Sequence, residues 1–154
     1  MIGINAVGKK GERLANQMFQ YAAVKGIAKN RGYSYVVPPS KFTSNADQWQ
    51  EHQLFMPFRL ETFNPLQIQW LDLKRPELRE RHFHFDEDLF NNCPDWVSLH
   101  GFYQSEKYFL NVRDELLKDF SFIDDIENPC TEMMEGLNKP IALHVRRTDY
   151  AQYG

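Results

Sequence analysis

Apolar and polar positions set the first elements of the chain. Ile2, Ile4 and Ala6 alternate with Gly3, Asn5 and Val7, and a period of two predicts a short strand. The glycine-bearing loop Gly8-Lys9-Lys10-Gly11 ends it. Phe19, Ala22, Ala23, Gly26 and Ile27 then recur at spacings of three and four, which predicts a helix. Asn16 is its expected N-cap, and Asn30-Arg31-Gly32 makes a basic last turn with a glycine stop. Ala22, Ala23 and Gly26 are small, so their face is expected to approach a sheet closely. By residue type, Gln17 and Gln20 belong on the solvent side. Tyr33 to Val37 reads as a second strand closed by Pro38-Pro39. Strand, loop, helix, strand opens an α/β unit with a parallel sheet.

From Ser40 to Asn92 the pattern weakens. Residues 42–49 read as loop, Leu54-Phe55-Met56-Pro57-Phe58 as a short apolar docking segment, and 66–71 as ambiguous. In Arg79 to Asp88, His82 and His84 alternate with Phe83 and Phe85, then Asp86, Glu87 and Asp88 follow. Two histidines and three acids suit a metal, but an edge strand with one solvated side gives the same letters, and no metal is assigned. Trp96 to Gly101 reads as a strand running into Tyr103-Gln104-Ser105. Ser105 is the expected cap of a turn through Glu106, Lys107 and Tyr108, and Asn111 of a helix with Val112, Leu116, Leu117 and Phe120 on one side. A further helix is expected from about Ile126 to Leu137, stopped by Asn138-Lys139-Pro140. Ile141, Leu143 and Val145 then alternate with Ala142 and His144, the pattern of a short buried strand.

With 154 residues, 42% of them hydrophobic, the chain holds material for one ordinary globular domain. A net charge of -3 with scattered lysines and arginines gives no basic footprint for nucleic acid or an anionic membrane. No run approaches the roughly 20 apolar residues that span a bilayer, and Met1-Ile2-Gly3-Ile4-Asn5 resembles no signal peptide. The expectation is a soluble cytoplasmic protein with at most peripheral membrane association. Ile2 stands where myristoylation requires glycine. Cys93 and Cys130, the only thiols, are expected to be reduced. Gly3, Gly8 and Lys9 have the spacing of a P-loop, but Lys10 replaces its Ser or Thr, and the first glycine falls inside the strand, so that motif is rejected.

The chemistry concentrates after the last predicted strand, at Arg146 and Arg147. A guanidinium offers five donors in a plane that suits phosphate oxygens, and open α/β sheets bind ligands at the carboxyl ends of strands. His144-Val145-Arg146-Arg147-x-Asp149-Tyr150 resembles the first motif of the α-1,2- and α-1,6-fucosyltransferases and protein O-fucosyltransferases, and is closest to the α-1,2 group. Arg13 to Ala22 is similar to that group's amino-terminal signature, and Gly101 to Phe109 to its middle segment. The three stretches fall in the family's order. Glu12, Ala15 and Thr148 depart from it, each standing where the pattern carries glycine.

The resemblance implies the Rossmann-like amino-terminal half of a two-domain B-type glycosyltransferase. Residues 1–140 would be the acceptor-side α/β domain and 141–154 the start of a donor-binding domain, with a carboxyl-terminal remainder to follow. It implies inverting transfer of fucose from GDP-fucose to a sugar hydroxyl, with a nucleotide sugar and a glycan acceptor as partners and no cofactor or metal. Arg146, Arg147 and His144 are the implied catalytic residues. Asp149, Asn16 and Gln17 join the two arginines on the donor, and Gln20, Tyr103 and Gln104 lie on the acceptor side. His144 has a second reading as a hydrogen-bonded core histidine. The alternative function is a noncatalytic domain that binds a glycan or a partner.

Overall fold

In the computed structural model of the protein, residues 1–4, 13–37, 54, 56–60 and 74–145 are described. They divide into two compact units, 1–123 and 124–154. Four short strands in the first unit, β1 (Ile2–Gly3), β2 (Tyr35–Val36), β3 (Glu77–Arg79) and β4 (Ser98–His100), form one sheet in the order β2-β1-β4-β3. Every pairing is parallel: Ile2 with Tyr35, Gly3 with Val36 and Ser98, and Glu77, Leu78 and Arg79 with Ser98, Leu99 and His100. The expected α/β class and the parallel pairing of the first two predicted strands are both found.

Helix α1 (Leu14–Arg31) links β1 to β2 and is the element on which the unit is assembled. Its predicted stop is present: Gly32 takes a left-handed φ of 68°, and its N–H reaches the carbonyls of Ala28 and Lys29, as a glycine C-cap should. Its start differs. The N-cap position is Arg13 and Asn16 lies inside the first turn. The side expected to face solvent is also buried, with Gln17 and Gln20 among the most enclosed side chains.

Gly26, on the small-residue face, meets backbone. At Gly26 an added Cβ would lie 2.0 Å from the carbonyl oxygen of Tyr108. Tyr108 closes the first of two 3-10 turns, Glu106–Tyr108 and Leu110–Val112, which lead into α3 (Arg113–Asp119). Neither predicted cap in this region forms. Ser105 makes no side-chain cap, and the Asn111 amide donates to the carbonyl of Gly26 at 2.9 Å. From α3, Asp119 accepts hydrogen bonds from Lys25 Nζ and, at 3.0 Å, from the Tyr21 hydroxyl, while Glu115 lies 3.3 Å from Lys25 Nζ. Burial alone would lower the Lys25 pKa, but its bonds to these carboxylates outweigh that and raise it.

The core fills from both sides of the chain: Ile2 and Ile4, Ala23, Val24 and Ile27 of α1, and Leu99, Tyr103, Tyr108 and Val112. Leu54 and Phe58 of the predicted docking segment join it, whereas Met56 is exposed. The expected histidine strand is absent: β3 ends at Arg79, and His82 and His84 stack ring on ring at 3.6 Å beyond it. Asp86 caps the next helix, α2 (Glu87–Asn92), by accepting from the Leu89 N–H. It also accepts two hydrogen bonds from Arg81, each 2.7 Å. Asp86 and Asp88 have the spacing of an Asp-x-Asp pair, and both carboxylates are engaged by Arg81. Cys93 is buried and Cys130 exposed, and both are free thiols.

The second unit carries α4 (Asp124–Met134), with Pro129 inside it and no buried residue. It ends three residues short of the predicted Leu137. The strand expected at 141–145 does not form: these residues have no regular structure, and Ile141 is 95% and Leu143 88% exposed. Alternating apolar residues become a strand only beside a partner edge.

Candidate functional site

The carboxyl ends of β1 and β4, neighbours in the sheet, are where ligands settle in open α/β folds. α1 begins on the β1 side, and Gly101 to Ser105 leaves the end of β4. Here the amino-terminal and middle stretches meet, although 88 residues separate the side chains involved. Gln104 Nε2 donates to Asn16 Oδ1 at 2.8 Å. One turn further along α1, Gln20 Nε2 donates to the carbonyl of Gly101 at 3.0 Å. Phe19 and Phe109 pair with ring centroids 6.0 Å apart. Thus the side-chain amides of α1 dock the β4 exit loop onto the helix, and Gly26 lets the backbone after it come close.

Solvent reaches the five candidate residues of this junction unequally. Gln104 is exposed and Asn16 half-buried. Gln17 is buried and its Oε1 accepts from the N–H of Leu54 at 2.9 Å. Gln20 and Tyr103 are likewise buried. Of the five, solvent thus reaches only Asn16 and Gln104. Tyr103 sits at φ 52°, in the left-handed region, and its hydroxyl donates to the Leu78 carbonyl at 3.4 Å. Burial drives its phenol pKa upward.

The β4 exit is also met by a residue that no pattern along the chain singles out. Glu80, just after β3, accepts from the N–H groups of Phe102 at 2.8 Å and Tyr103 at 3.1 Å. A further feature missed from sequence is an apolar groove of about 480 Å³ between α1 and α3, lined by Met18, Phe19, Phe109, Leu110, Leu117 and Phe120. Helical periodicity could have hinted at it, since Leu117 falls on the predicted apolar side of α3 yet is 60% exposed.

His144 belongs to the second unit and is exposed. Arg146, Arg147 and Asp149 lie outside the described residues. No helix among the described residues is long and apolar enough to cross a membrane.

Comparison with known proteins agrees with the three sequence stretches. The chain is 25% identical over 158 residues to galactoside alpha-(1,2)-fucosyltransferase 2 of Sus scrofa, covering 96% of this chain and 41% of that protein. It is 27% identical over 161 residues to galactoside alpha-(1,2)-fucosyltransferase 1 of Bos taurus, covering 97% and 41%. The chain thus spans about two-fifths of the length of these relatives. No solved structure matches it. Residues 2–153 match the model of glycosyl transferase family 11, and the chain belongs to that family.

Proposed function

We propose that this chain carries the acceptor side of an inverting fucosyltransferase that moves fucose from GDP-fucose to a galactoside hydroxyl. The observation that supports it best is the contact of Gln104 with Asn16 at the carboxyl edge of the parallel sheet, which joins two of the three family stretches in one polar junction. On this reading residues 1–140 form the Rossmann-like acceptor-side domain, and 141–154 begin the donor-binding domain of a two-domain B-type enzyme. Asn16 contacts the donor and Gln104 the acceptor, while buried Gln17, Gln20 and Tyr103 keep the junction in shape.

Departure of a diphosphate from an oxocarbenium-like centre is the costly event, and preorganised cations at the leaving group lower its barrier. Arg146 and Arg147 have the donor geometry for that task, with His144 and Asp149 orienting the same cleft. Transfer then needs no divalent ion. The Asp86 and Asp88 carboxylates, which have the spacing of a metal-binding pair, are already engaged by Arg81.

The test is incubation of GDP-fucose and lactose with the purified chain and with the longest in-frame translation product that contains it, with and without EDTA. Fucosyl-lactose formed by the latter and unaffected by EDTA is the expected result, with Arg146→Lys or Arg147→Lys lowering kcat about a hundredfold. Lactose binding without any transfer would favour the noncatalytic glycan-binding reading. Loss of activity in EDTA that Mn²⁺ restores would refute metal independence.

A further inference from the structure

We infer that Glu80 is a positioning residue that buckles the β4 exit loop and thereby presents Gln104 to the acceptor, an inference that rests on the acceptor-side reading above. Glu80 is tied into the sheet by its own backbone, whose N–H donates to the His100 carbonyl at 2.9 Å. Its carboxylate folds across the strand end. Oε2 accepts from the Phe102 N–H at 2.8 Å and Oε1 from the Tyr103 N–H at 3.1 Å. Hydrogen bonds to an ionised acceptor are roughly twice as strong as neutral ones, so one side chain holds two successive peptide groups.

The loop is shaped around this carboxylate. A Cβ on Gly101 would lie 2.5 Å from Glu80 Cβ and 2.7 Å from Oε2, so the absence of a side chain at 101 is what lets Glu80 lie down. Two residues on, Tyr103 holds φ 52°, a conformation that a bulky residue keeps only where its surroundings over-determine it. Those surroundings are Glu80 on its N–H, Leu78 on its hydroxyl and the edge-on ring of Tyr108 with centroids 5.5 Å apart. The left-handed turn buries Tyr103 and leaves Gln104 exposed, with its amide on Asn16. Glu80 reaches no ligand-facing residue itself and acts through that turn.

The experiment uses Glu80→Gln, which keeps the shape and one acceptor oxygen but turns an NH2 group toward one of the two N–H donors. Two readouts are taken on the longest in-frame product: amide hydrogen exchange at Phe102 and Tyr103, and steady-state kinetics with lactose and GDP-fucose. Exchange at both amides should quicken and the lactose KM should rise, each about tenfold, as expected for weakening a hydrogen bond to a charged group. The GDP-fucose KM and kcat should stay within about twofold. Glu80→Asp, which restores the charge one methylene short, should recover part of the lactose KM. If Glu80→Gln leaves exchange or the lactose KM at the wild-type value, the positioning role is wrong and the acceptor reading stands. A parallel rise in both KM values, the mark of a loosened fold, also overturns it. If the wild-type protein transfers nothing to lactose, the acceptor reading fails, and this inference fails with it.

Discussion

Replacing Gly26 by alanine isolates the contact on which the junction depends. In a bare helix the change would help, since alanine is favoured over glycine in a helix interior by about 1 kcal/mol. Here the new methyl would stand 2.0 Å from the Tyr108 carbonyl oxygen, 2.7 Å from Phe109 Cα and 2.9 Å from the Tyr108 carbonyl carbon. All three are backbone atoms, so none can swing aside as the tip of a side chain would. Non-bonded atoms settle at about 3.5 Å, so α1 and the 3-10 turns must part by more than about 1 Å. Overpacking of that kind costs about 1–3 kcal/mol. Parting also stretches the Asn111 bond to Gly26 and the Gln20 bond to Gly101, each worth about 1 kcal/mol. The net expectation for Gly26→Ala is a loss of about 3 kcal/mol, a large share of an ordinary stability of about 5–15 kcal/mol. For a chain of this size that lowers Tm by about 10 °C, read by circular dichroism on heating. Gly32→Ala is the comparison. It has φ 68° but nothing within 4 Å of the added methyl, so it should lose only the left-handed penalty, about 1 kcal/mol. A Gly26→Ala protein as stable as wild type, or no less stable than Gly32→Ala, would refute the steric reasoning.

Three other outcomes follow from named contacts. Asp86 has its pKa held at about 2, first by the hydrogen bonds from Arg81 and then by its capping bond, against about 4 in an unfolded chain. Because the folded value is the lower, this contribution is complete above about pH 4 and is lost as pH falls toward 2; urea midpoints of wild type and Asp86→Asn should differ at pH 6 and converge at pH 2. Lys25→Met leaves Asp119 and Glu115 without their shared cation, and since Glu115 is 48% exposed the loss should be modest, about 1–2 kcal/mol by urea unfolding; no loss would show that the pair contributes nothing. Burial pushes the Cys93 thiol up to about 11, so iodoacetamide followed by mass spectrometry should label exposed Cys130 first and Cys93 only on unfolding; equal rates would contradict the core placement of Cys93.

The family and the fold class were legible in the sequence because they rest on local or linear signals. Strand, helix, strand over residues 2–37 appears as α1 between the parallel strands β1 and β2. Gly32 ends the helix where a left-handed residue is needed, and the stretches at 13–22, 101–109 and 144–150 lie inside the family match. What escaped it depends on partners far along the chain. Asn16 is an N-cap by residue type, but its oxygen receives Gln104, 88 positions away. Gln17 and Gln20 look solvated on a helix, yet both are buried, Gln17 with its oxygen on the Leu54 N–H and Gln20 with its amide nitrogen on the Gly101 carbonyl, partners that lower the cost of enclosing an amide. Gly26 was expected to face a sheet, and only the docking of Tyr108 shows that it faces backbone. Glu80 carries no periodicity at all, since its role is to accept two N–H groups that chain folding brings to it. Ile141 to Val145 alternates as a strand should and is not one, because alternation specifies which side chains share a face, whereas a strand also needs a neighbouring edge to accept its hydrogen bonds.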